Sequence, residues 1–86
     1  MKTDEIVLIE KAQSGDREAL TSLITQYSSR IYNLGLRMMR NEKDAEDILQ
    51  ETFLILIKKI NTFQGRSSLY TWLYRVATNL ALEKLK

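Results

Sequence analysis

No proline interrupts this chain, so nothing in it forbids long helices, and its apolar side chains recur mainly at intervals of three and four. That combination predicts an all-α fold, and no segment alternates in a way that would place a sheet. Eighty-six residues give one domain, residues 1–86, with one modest core. The hydrophobic share of 44% is enough to fill that core.

Four helices follow from the spacing, joined by short connections into a compact bundle without repeats or low-complexity linkers. The first runs from Asp4 to Gln13, with Thr3 as N-cap and Gly15 as its stop. Asp16 caps a long second helix, which buries Ala19, Leu20, Leu23, Ile24, Tyr27, Ile31, Leu34 and Met38 and ends near Asn41. Gly35 inside it costs about 1 kcal/mol relative to alanine, which a close helix crossing would explain. Asp44 is the expected cap of the third helix, with Ala45, Ile48, Leu49, Phe53, Leu56 and Ile60 inward. A loop over Asn61–Ser67 leads to a fourth helix capped by Ser67 or Ser68, with Leu69, Trp72, Leu73, Val76, Ala77, Leu80, Ala81 and Leu85 as its stripe.

The composition narrows the chemistry. Cysteine and histidine are both absent, which excludes disulfides, thiolate and imidazole metal sites and the Ser-His type of nucleophile. The expectation is a binding protein with no catalytic residues, metal or cofactor. Asp4 and Glu5 precede an apolar run of only Ile6 to Ile9, too short and too acidic in its flank for a signal peptide. No stretch approaches the roughly 18 apolar residues of a spanning helix, so the expected location is cytoplasmic with no membrane partner.

Charge is unevenly distributed although the net value is only +2. Arg30, Arg37, Arg40 and Lys43 against Glu42 make residues 27–43 basic, Asp44, Glu46, Asp47 and Glu51 make residues 44–51 purely acidic, and six bases against Glu83 make residues 52–86 basic again. An acidic patch between basic segments suits two different partners. Asp47, Gln50, Glu51, Leu54 and Lys58 fall on one outward stripe of the third helix, as a docking surface would require. The same carboxylates would also serve simply to complement the helix dipole on a solvated face. On the fourth helix Tyr70, Tyr74, Arg75, Thr78 and Asn79 lie off the apolar stripe, a set able to stack on bases and read their edges. Arg37, Arg40 and Lys43 offer phosphate contacts, or only solvation.

The segments DAEDILQETF (Asp44–Phe53) and FQGRSSLYTWLYRVATNLALEKL (Phe63–Leu85), in this order and preceded by SGDREAL (Ser14–Leu20), resemble the second conserved region of bacterial sigma factors of the extracytoplasmic-function (ECF) type. The resemblance covers essentially the whole chain. It implies a transcription initiation domain that meets a coiled coil on the beta-prime subunit of core RNA polymerase through Asp47, Gln50, Glu51 and Leu54. It also implies capture of the single-stranded minus-ten promoter element, with a flipped base in a pocket of Phe63, Gln64, Gly65, Arg66, Ser67 and Ser68 and strand contacts from Tyr74, Arg75 and Asn79. An anti-sigma factor covering the same surfaces is a further implied partner. The family normally continues into a helix-turn-helix fourth region that is absent here, so the resemblance implies a piece of a longer protein. The alternative is a helical interaction module that binds a regulatory helix and never touches DNA.

Overall fold

A computed structural model describes residues 2–86, with side chains from Glu5 onward. Helix α1 spans Lys2–Gln13, α2 Arg17–Met39, α3 Glu42–Lys59 and α4 Leu69–Leu85, with a 3-10 turn at Ile60–Thr62 between α3 and α4. Helix α2 is the spine. Its 23 residues make a rod of about 35 Å, close to the longest dimension of the fold, 36 Å. Helices α1, α3 and α4 all pack against it, and α3 also packs on α4. The fold is the expected four-helix bundle, and no strand occurs among the described residues.

The predicted stripes form the core. Leu23 and Ile31 of α2, Ile48 and Leu56 of α3, and Leu69 and Leu73 of α4 are fully buried, each contributing about 1.5–3 kcal/mol by leaving water. Leu85 is exposed, unlike its expected place in the stripe; it is the last residue of α4. Gly35 explains how α2 and α3 approach. A Cβ there would stand 3.2 Å from the Ala45 Cα, so the crossing is built on a residue without a side chain.

The helix ends refine the sequence reading. Asp16 caps α2 as expected, its carboxylate accepting from the backbone N–H groups of Glu18 at 2.9 Å and Ala19 at 3.2 Å. Gly15 turns the chain at φ 100. The cap of α3 is Asn41, not Asp44: Asn41 is extended, and its side chain accepts from the Asp44 N–H. Asp44 therefore sits inside the first turn, where its charge still complements the dipole. Between the two helices Arg40 adopts a left-handed φ of 54 and donates its N–H to Leu36. Thr3 lies within α1 and does not precede it, and its side chain is outside the described residues, as are those of Lys2 and Asp4.

Candidate functional site

The outward stripe of α3 exposes Gln50, Glu51, Leu54 and Lys58. Leu54 is 55% exposed, and Ile57, which the sequence reading passed over, adds a second apolar side chain at 48%. Asp47 is only half-exposed and stands 3.9 Å from the Lys84 ammonium near the end of α4. One edge of the stripe is therefore already part-neutralised from a neighbouring helix, a contact invisible in α3 alone. On the inner side Thr52 is fully buried, with its hydroxyl oxygen unpaired among the described residues.

The loop after the 3-10 turn is open. Gln64, Gly65, Arg66 and Ser68 are exposed and Ser67 is half-buried. Gly65 takes φ 73, and a Cβ there would meet nothing within 4 Å, so backbone angle and not space favours glycine. Ser68 is the cap of α4: its hydroxyl accepts from the Thr71 N–H at 3.1 Å and donates to the Thr71 hydroxyl at 2.9 Å. That commits its proton, so Ser68 shapes the loop more than it offers a free donor. Phe63 is half-buried, set edge-on to Trp72 with ring centroids 6.4 Å apart.

Three recesses surround this loop. One, of about 190 Å³, joins Phe63, Gln64, Arg66 and Ser67 to Trp72 and Arg75. It brings together four of the six predicted loop residues and the predicted arginine. Trp72, expected as core, is half-buried and forms part of its wall. Gly65 and Ser68 line a larger cleft of about 430 Å³, together with Phe63, Arg66 and Ser67, against Glu5, Ile6 and Ile9 of α1. A third, of about 200 Å³, adds Gln13. Tyr74 is 42% exposed, and Asn79 is exposed further along α4, outside all three recesses.

Aromatic residues continue from the loop onto the bundle. The ring of Tyr70 stacks on Tyr27 at 6.0 Å and lies 6.1 Å from Tyr74. Arg30 covers Tyr27 at 5.9 Å and Tyr70 at 5.3 Å, a pair of cation–π contacts linking α2 to the start of α4. The Tyr27 hydroxyl donates to the Glu5 carboxylate. Burial first, then that hydrogen bond and the Glu5 charge, push the phenol up to about 12 against the opposing pull of Arg30.

The role of α1 had no local signal in the sequence. Its contribution comes through Gln13, whose amide reaches residues 47 and 50 positions away, and through Glu5, Ile6 and Ile9 on the cleft wall. No helix among the described residues is long and apolar enough to cross a membrane, and they hold no cluster of metal-binding side chains.

Comparison with known proteins assigns this arrangement. The chain is 37% identical over 78 residues to the RNA polymerase sigma-H factor of Pseudomonas aeruginosa, covering 91% of this chain and 40% of that protein. It is likewise 37% identical over 78 residues to the ECF RNA polymerase sigma factor SigW of Bacillus subtilis, covering 91% and 42%. The chain thus spans about two fifths of the length of these relatives. The fold superimposes with a TM-score of 0.85 and 32% identity on an engineered region 2 of sigmaE, solved by NMR in complex with GTAAAA, over 94% of this chain and 84% of that one. The family model for Sigma-70 region 2 matches residues 23–86, and on that match the chain belongs to the Sigma-70 region 2 family.

Proposed function

We propose that this chain docks on core RNA polymerase through α3 and captures the melted minus-ten promoter element with the loop and α4, as part of a cytoplasmic transcription initiation factor. The observation that carries the reading is the recess that unites Phe63, Gln64, Arg66 and Ser67 with Arg75. It offers an aromatic edge, two guanidinium groups and polar side chains in one concave surface, and Tyr74 of the same helix is 42% exposed. These are the groups that stack on an unpaired base and bind its backbone. The sigmaE region 2 that shares this fold was solved in complex with GTAAAA, which supports reading this surface as one that binds nucleic acid.

Docking rests on Asp47, Gln50, Glu51 and Leu54, facing a basic coiled coil on the beta-prime subunit. Carboxylates there would form charge-assisted hydrogen bonds to arginines, around an apolar centre that Leu54 and Ile57 supply. Flipping a base costs a few kcal/mol, and stacking it on an aromatic ring returns about 1–3 kcal/mol. Capture therefore nearly balances extrusion, and the polymerase's own contacts complete the melting. An anti-sigma factor would act by covering the same surfaces.

Labelled oligonucleotides test the reading. The isolated chain should prefer some single-stranded sequences over others and bind duplex DNA only weakly, since a net +2 offers few phosphate contacts. Equal binding to every single strand would leave only a helical protein-interaction module.

A further inference from the structure

Helix α1 ends against the loop proposed to take the base, and Gln13 hydrogen-bonds across that junction. The Gln13 Nε2 donates to the carbonyl of Ile60 at 2.8 Å and to that of Phe63 at 2.9 Å. Both partners accept, so the amide nitrogen and not the oxygen must face them. The two carbonyls mark the place where helical backbone gives way to loop. Ile60 opens the 3-10 turn, and Phe63 closes it in an extended conformation. The Ile60 carbonyl also accepts the Phe63 N–H at 3.1 Å, which closes the turn, whereas the Phe63 carbonyl lies past the turn, and its donor among the described residues is Gln13.

Gln13 itself is held from elsewhere. Ile9 and Ala12, on the preceding turn, are buried in the core, and the Asp16 N–H closes back on the Lys11 carbonyl at 3.0 Å. Downstream of Phe63 the loop has little packing of its own: Gln64, Gly65 and Arg66 are exposed, and the space beside Gly65 is empty to 4 Å. Its path is therefore set at its two ends, by the Ser68 cap and by Gln13 with the Phe63–Trp72 contact.

We infer that Gln13 is a positioning residue for the Phe63–Ser68 loop, so that α1 sets base preference without touching the base. The inference rests on the proposed reading of the loop as the base-capturing element. Gln13→Glu keeps the shape and turns an acceptor toward two carbonyls; Gln13→Met removes donor and acceptor together. Amide hydrogen exchange and the emission of Trp72, the single tryptophan, report the loop without DNA. Single-stranded oligonucleotide competition then reports base preference.

In both variants the Phe63 amide, which donates to the Ile60 carbonyl at 3.1 Å, should exchange faster by about five- to tenfold, while core amides of α2 and α3 change much less. The Trp72 emission should shift as Phe63 leaves its edge, and preference at one base position should fall by a similar factor. Unchanged loop exchange, equal acceleration of loop and core, or a released loop with undiminished preference would each overturn the inference. A wild-type chain without any base preference would instead sink the base-capture reading, leaving the positioning of the loop to the exchange data.

Discussion

The acidic stripe of α3 and the loop before α4 are held in different ways. Helix α3 carries its own ladder of backbone hydrogen bonds, is capped by Asn41 and sits close on α2 at Gly35. Its outward residues are fixed wherever the helix is fixed. The loop has no ladder, and its course depends on a glutamine from α1 and a serine at the start of α4. A surface on a regular helix is rigid through local sequence, whereas a surface on a loop is rigid only through distant partners. The two proposed binding functions should therefore be separable by mutation.

The largest effect is expected where the two regions share support. Gly35→Leu forces a side chain into a seam where even a Cβ meets Ala45 at 3.2 Å, and overpacking of this kind costs about 1–3 kcal/mol or more. Urea unfolding should show that loss, with docking and DNA capture weakened together. Undiminished stability would mean that the seam has slack and that α3 is not fixed by close approach.

Reversing charge at Asp47 and Glu51 to lysine should break only one side of the comparison. Co-purification with core polymerase should be abolished, while oligonucleotide preference persists and stability changes by about 0.5 kcal/mol or less per site. Asp47 should show the larger stability change, because its reversal sets a second cation against Lys84. Undiminished polymerase binding by the folded double variant would reassign the stripe to simple solvation.

The smallest effect is a pH dependence on the α1 side. The phenol of Tyr27 is raised from 10.0 to about 12, so the fold favours its protonated form. Its contribution is complete below pH 10 and is lost as pH rises through about 12, because in that window the unfolded chain has already released a proton that the fold still binds. Denaturant midpoints should fall across this window by more in wild type than in Tyr27→Phe. Identical slopes would mean that the Glu5–Tyr27 contact does not help to hold α1.

The bundle was legible because its helices obey a 3.6-residue period: Leu23, Ile31, Ile48, Leu56, Leu69 and Leu73 all lie where periodicity places them. Gly35 was readable as a close crossing, since an interior glycine costs helix stability and needs a compensating reason. Asn41 was missed in favour of Asp44, because both are good caps and only the extended backbone at Asn41 decides between them. The stripe of α3 could be read along one helix, but the Lys84 contact with Asp47 could not, since it spans two helices. Gln13 was the least legible. Nothing near it in sequence marks a residue whose partners are 47 and 50 positions away, and a polar side chain at a helix end ordinarily faces water.

Recognition is proposed to reside in the loop and docking in α3. The most direct measurement exchanges residues 63–68 for the loop of a relative and compares the chimera with wild type in the same salt. All four bases compete at each position of a single-stranded minus-ten oligonucleotide, with polymerase co-purification run in parallel. The preference should change at a single position, with polymerase binding unaltered. Coincident profiles, or equal weakening of every oligonucleotide, would contradict that proposal and move recognition onto α4, around Asn79.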